Sequence, residues 1–199
     1  MKILFDGDSF CYGAELTNIN DRYSDIIGKE LDCDTINLSE IGSSNQAIIF
    51  RAHKYIEENP IDLVVIGITF FSRFSLPFND KLISMNGARF AGETPKNLIA
   101  RYIYSSNTNL SIWYEYNYPI LKMFQDSCKI RNIPLVYHTN DKEIRKAFNN
   151  STIDVLPMSF NELAKTYKCS FGKAQHPLEE AHEKYAEYLL GIIAGVVKR

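Results

Sequence analysis

Several things this sequence lacks narrow its function before any motif is read. Cysteine is sparse: Cys11, Cys33, Cys128 and Cys169 are the only four in 199 residues. No two of them form a C-x2-C pair, so neither a zinc site nor a thioredoxin-type redox centre is indicated, and reduced, buried or half-buried thiols are expected. Long apolar runs are missing as well. Residues 189–197 are apolar throughout, but nine residues are about half of what a bilayer span needs. Residues 1–5 begin like a secretion leader, yet Asp6 and Asp8 cut the apolar stretch far short of the required length of about 7–15 residues. Neither sign of charge dominates: 22 Lys and Arg face 24 Asp and Glu, a net charge of −2. That balance excludes a broad electrostatic grip on nucleic acid. A glycine-rich phosphate cradle is also absent, because the first strand–helix turn carries only Gly7 and Gly13, which counts against a flavodoxin-like nucleotide binder. The expectation is a cytoplasmic, soluble chain of one domain, with no metal or organic cofactor and neither nucleic acid nor membrane as partner.

What is present is alternation. Short segments at 2–5, 35–38, 62–67, 133–138 and 152–155 read as strands. The run at 62–67 is unbroken, as expected of a parallel strand buried on both faces. Between these runs lie helical patterns at 21–31, 44–58, 110–132 and 141–149, followed by 161–168 and 178–197. The rhythm predicts an α/β protein: a three-layer α/β/α, flavodoxin-like, doubly wound sheet of five parallel strands with helices on both faces. Ligands of such sheets collect at the carboxyl ends of the strands. Residues 69–111 break the rhythm. Eleven of the 25 aromatic residues fall between Phe70 and Tyr118. Such a stretch at 70–118 is expected to be a lid or wall over a ligand site, or else an auxiliary core or self-association surface.

Two segments carry residues suited to catalysis. The first strand runs into Asp6-Gly7-Asp8-Ser9, which places a serine just past a turn at a strand's carboxyl end. There a hydroxyl can be lifted clear of the sheet beside backbone N–H groups that stabilise an oxyanion. Asp and Ser also form ordinary turns and helix caps, so this segment alone leaves both readings open. Near the other end, His176-Pro177 precedes the long final helix, with the proline expected in its first turn. A histidine fixed there suits a general base. His182 is expected to be structural or exposed, and His138, at a strand end, could face the site. Cys11 lacks a local base motif.

Together these segments resemble the SGNH hydrolase superfamily, the GDSL-type esterases and lipases, across nearly the whole chain. Four blocks carry the likeness: Gly7-Asp8-Ser9; Ile41-Gly42-Ser43-Ser44-Asn45; Gly67-Ile68-Thr69; and His176-Pro177 with Glu179 to His182. The resemblance implies Ser9 as nucleophile and His176 as base, with the backbone N–H groups of Ser9 and Gly42 in the oxyanion hole. It departs from the family pattern twice. The family's oxyanion asparagine is Thr69 here, which leaves Thr69 itself or Asn45 as the side-chain donor. The family's Asp, three residues before the histidine, is Lys173, and a lysine cannot accept the imidazole N–H. Asp154 and Glu179 are the carboxylates available to replace it; a backbone carbonyl or an unsupported Ser–His dyad would be the alternatives. Asp8 reads as a turn former that supports the site. Arg73, between Phe71 and Phe74, is placed to meet an anionic substrate group, and Phe70 and Phe71 to line the substrate site. The expected activity is hydrolysis of an ester, such as an O-acetyl group on a carbohydrate or small metabolite. The alternative is a catalytically impaired ligand-binding or protein-interaction module on the same fold.

Overall fold

The computed structural model describes residues 1–78, 81–85 and 110–197. Four parallel strands form its main sheet: β1 (Lys2–Asp6), β2 (Asp34–Asn37), β3 (Leu63–Ile68) and β6 (Leu135–Thr139), in the order β2-β1-β3-β6. Phe5 pairs with Asn37 on one side and Val65 on the other, and Val65 pairs in turn with Val136. Successive side chains on a strand point to opposite faces, and that period sorts the core into two layers. Leu4, Val64 and Ile66 pack on α3 (Asn45–Glu58) and α4 (Leu110–Ile130) through Ile48, Ala52, Leu121 and Phe124. Ile3, Phe5, Leu63 and Val65 face the other way. They meet α2 (Tyr23–Glu30), α6 (Phe160–Thr166) and α7 (Glu179–Val197) through Tyr23, Ile27, Phe160 and Leu189. The expected three-layer architecture is therefore present.

The sheet has four strands where the sequence predicts five. At the expected fifth strand only Val155 makes a parallel bridge, to Tyr137, supported by the Leu156 N–H donating to the Tyr137 carbonyl at 2.9 Å. Pro157 follows and has no N–H with which to extend the ladder. On the other side, the Ser151 hydroxyl exchanges hydrogen bonds with the backbone of Ile153 and holds that segment in a turn.

The segment after β3 also differs from a plain connection. β4 (Phe74–Phe78) and β5 (Lys81–Met85) pair antiparallel as a separate two-stranded hairpin. It is pinned to the start of α3: the Ser44 and Ser75 hydroxyls lie 2.6 Å apart, and the Ser44 N–H donates to Ser84 Oγ. Phe71, Phe74 and Trp113 are buried in the core, with the Phe74 and Trp113 rings stacked at 5.9 Å. The rest of the expected lid, including Phe90, Tyr102 and Tyr104, lies outside the described residues. Among the described residues, no helix is long and apolar enough to cross a membrane.

Candidate active site

The carboxyl end of β1 leads directly into a one-turn helix, α1 (Ser9–Tyr12). Asp8 caps it, its Oδ1 accepting the Phe10 N–H at 3.1 Å. Gly13, at φ 82°, ends it in the left-handed conformation that favours glycine. Ser9 is thus the first helical residue. The turn is tight because Cys11 is folded beneath it. A β-carbon at Gly7 or at Gly67 would lie 2.2 Å from Cys11 Sγ, so both positions must be glycine. Burial raises the Cys11 thiol pKa far above its usual range. Cys11 is a packing residue.

His176 is brought to Ser9 by the connection that precedes α7. The Gly172 N–H donates to the His176 carbonyl at 2.8 Å, and Phe171 and Pro177 form an antiparallel bridge. Pro177 lies in that bridge and not in the first turn of the helix as expected, because α7 starts at Glu179. The bridge holds the imidazole at a fixed height. Its Nε2 is 2.9 Å from Ser9 Oγ, and the Phe10 ring meets it edge-on at 5.1 Å. Its Nδ1 is 3.0 Å from Glu15 Oε2.

Glu15 appears in no sequence expectation. It sits just after α1 at φ 71° and also accepts the backbone N–H groups of Ala174 and His176. The Ala174 N–H, followed by the bond and charge of His176, holds its pKa below the usual carboxylate range. Gly172 makes room for it, since a β-carbon there would lie 2.5 Å from the Glu15 carboxyl carbon. The two expected carboxylates are elsewhere: Glu179 accepts the Thr17 N–H, and Asp154 is exposed at the sheet edge, while Lys173 is exposed too.

The opposite side of Ser9 is built around Asp8. This fully buried carboxylate accepts the Thr69 hydroxyl at 2.6 Å, the Asn140 amide at 2.8 Å and the Arg73 guanidinium at 2.7 Å. Arg73 is therefore paired, not an open cation at a site mouth, and it lies over the Phe70 ring at 5.1 Å. Asn45 is buried with its amide donating to the Thr69 carbonyl and Asn117 Oδ1, while its oxygen accepts the Thr69 N–H. Gly42 turns at φ 82° in a loop that Arg51 ties to Asp6 and to the Ser43 hydroxyl. Among the described residues, no acceptor takes the Ser9 or Gly42 N–H. Beside this cluster, Phe70, Phe71, Tyr114 and Ile144 line a cavity of about 390 Å³ with Asp141 and Glu143 at its edge.

The remaining histidines lie away from this chemistry. His138 is buried under the turn that carries Ser9, with Nε2 3.1 Å from the Tyr23 hydroxyl, and His182 accepts the Tyr23 N–H at 3.2 Å. Burial pushes both down to about 3. Among the described residues, no group of three or more His, Cys, Asp or Glu is arranged to hold a metal ion.

Neither a protein-family model nor a curated protein matches this sequence. Solved structures do. A G-D-S-L family protein from Desulfitobacterium hafniense DCB-2 aligns over 96% of this chain and 98% of its own at 12% identity, with a TM-score of 0.60. The esterase EstA from Pseudoalteromonas sp., inhibited by monoethylphosphonate, aligns over 100% and 99% at 13% identity and a TM-score of 0.59. The acetyl xylan esterase AlAXEase aligns over 97% and 100% at 12% identity and a TM-score of 0.58. The chain has the fold of the SGNH, or GDSL-type, hydrolases.

Proposed function

We propose that this protein is an ester hydrolase that uses Ser9 as nucleophile and His176 as general base, with Glu15 orienting the imidazole. The continuous line from Ser9 Oγ through His176 to Glu15, with contacts of 2.9 and 3.0 Å, carries this reading. Both contacts lie within hydrogen-bond reach, as a nucleophile, its base and the group that orients the base require. Ser9 Oγ attacks the ester carbonyl carbon as its proton passes to His176 Nε2, and the carbonyl π electrons move onto oxygen. The Ser9 and Gly42 N–H groups, which no acceptor takes among the described residues, are the backbone donors this reading gives to that oxygen. Collapse of the tetrahedral intermediate breaks the bond to the alcohol, which takes the proton from Nε2. Water then attacks the acyl-serine by the same route and releases the acid. Glu15 accepts the Nδ1 hydrogen throughout and stabilises the imidazolium that forms.

The substrate class we favour is a small acyl ester, such as an O-acetyl group on a carbohydrate or small metabolite. Esterases of that kind among the similar structures support this choice. Phe70, Phe71 and Tyr114, from the described part of the aromatic-rich segment, are read as a wall of the site, supported by the neighbouring cavity they line.

A fluorophosphonate probe tests the reading directly. One adduct per chain, mapped to Ser9 and absent in Ser9→Ala, is expected. Ser9→Ala should also lower kcat by about 10⁶-fold, the scale seen when a hydrolase loses its nucleophile. A wild-type chain that forms no adduct and cleaves no small ester would make this a binding module.

A further inference from the structure

The side-chain donor of the oxyanion hole has no occupant among the residues expected to supply it. Thr69 spends its hydroxyl hydrogen on Asp8 and accepts from Arg73 at 2.7 Å. Asn45 spends both amide hydrogens, on the Thr69 carbonyl and on Asn117. Neither has an O–H or N–H left for a developing oxyanion.

Arg73 occupies the gap between the loops that bear the two backbone donors. Its Nη1 bonds to Asp8, the residue before Ser9, and to the carbonyl of Ser43, the residue after Gly42, and it also bonds to Thr69 Oγ1. The guanidinium is held from one end by these contacts and from one face by the Phe70 ring. Among the described residues, Nε and Nη2 make no hydrogen bond, and the side chain keeps 10% of its surface open, whereas Asp8 keeps none. A guanidinium stays charged, presents several N–H groups in a rigid fork and, when pinned in advance, needs no reorganisation as negative charge develops.

We infer that Arg73 supplies the side-chain donor of the oxyanion hole, in the place Thr69 vacates by turning to Asp8. The inference rests on the ester-hydrolase reading above. It makes the buried Asp8–Arg73 pair a fixed dipole with its positive end at the reacting oxygen. Arg73 is then a catalytic residue, and Asp8 and Thr69 are its positioning residues.

The test compares Arg73→Met, Arg73→Lys, Asp8→Asn and the double variant Asp8→Asn with Arg73→Met. Each is assayed for kcat and KM on p-nitrophenyl acetate, for the rate of fluorophosphonate labelling and for unfolding temperature. Arg73→Met should lower kcat by about 10²–10³-fold, the scale for loss of one oxyanion donor, with KM nearly unchanged. It should also unfold early, because Asp8 is left buried and unpaired. The double variant removes both charges, so its unfolding temperature should recover while kcat stays as low as in Arg73→Met. Arg73→Lys should fall between wild type and Arg73→Met in kcat.

A double variant whose kcat returns to that of Asp8→Asn would overturn the assignment and leave Arg73 as charge balance alone. A loss confined to KM would overturn it as well and make Arg73 a substrate-binding residue. If wild type labels at Ser9 and either result is seen, only the role of Arg73 fails. A wild-type chain that never labels overturns both readings.

Discussion

Asp8 and Glu15 stand on either side of Ser9 within one eight-residue stretch, and their surroundings are opposites. Asp8 is sealed from water and receives four donors: the Phe10 N–H, the Asn140 amide, the Thr69 hydroxyl and Arg73. Glu15 keeps 26% of its side-chain surface exposed and holds the Ala174 and His176 N–H groups and the His176 ring. A buried carboxylate must be paired and hydrogen-bonded, because its lost hydration is otherwise uncompensated. Asp8 therefore organises rigid structure: it gathers the ends of β1, β3 and β6 around the turn that carries Ser9. Glu15 reaches across from the first helix to the connection before α7, and its contacts set the tautomer and position of His176. One acid builds the floor beneath Ser9, and the other holds the imidazole that meets it. Position in the chain does not distinguish the roles; the partners do.

That contrast can be broken, and the largest effect is expected at Glu15. Glu15→Gln keeps the shape but loses the charge and permits the wrong imidazole tautomer. It should lower kcat/KM by about 10²–10⁴-fold, by analogy with the serine-protease carboxylate, while shifting the unfolding temperature little. If activity survives and stability falls, the two acids have been assigned the wrong way round. Asp8→Ala should do the reverse in stability. Removing one partner of a buried ion pair costs about 3–5 kcal/mol, measurable as a drop in the urea midpoint. Thr69→Val sharpens the comparison further. It removes one hydrogen bond to the buried carboxylate and should cost about 1.5–3 kcal/mol. Its kcat should fall less than about tenfold, since the hydroxyl points at Asp8; a loss of about 10²–10³-fold would make Thr69 the oxyanion donor itself.

The smallest effect, measured per pH unit, concerns the buried histidines. His138 and His182 have pKa values pushed down from 6.5 to about 3, so the neutral ring is the folded form. Their contribution is complete above pH 6.5 and is lost as pH falls towards about 3. Each should contribute at most about 1.4 kcal/mol per pH unit within that window. Urea midpoints taken at successively lower pH check this, and His138→Gln should flatten part of the slope. A midpoint that stays level through the window would place charged histidines in the folded core.

Much of the fold and half of the candidate site were legible in advance, and the division has physical causes. Strands β1, β3 and β6 announced themselves as short, largely apolar runs, β2 by its place in the alternation of strands and helices, and the helices because their apolar residues recur at helical spacing. The weak fifth strand could not be told from a real one, since Pro157 and the local bonds of Ser151 act only after the sheet is assembled. Ser9 and His176 were legible because each sits in a local pattern tied to an element boundary. Glu15 was not. Nothing in its neighbours marks it, and its partners are about 160 residues away in the chain. Gly172, the glycine that makes room for it, gains meaning only beside it. Arg73 was visible as a lone cation among aromatics, but its pairing with Asp8 was not.

The patterning of the chain is enough for the layered fold and for the placing of a serine at the end of the first strand and of a histidine before the last helix. Those follow from periodicity and short motifs, which act within a few residues. Tertiary structure alone decided which carboxylate meets His176, which residue neutralises Asp8, and which donors remain open beside Ser9. Burial and hydrogen-bond satisfaction set those outcomes. Both depend on which distant segments share one end of the sheet.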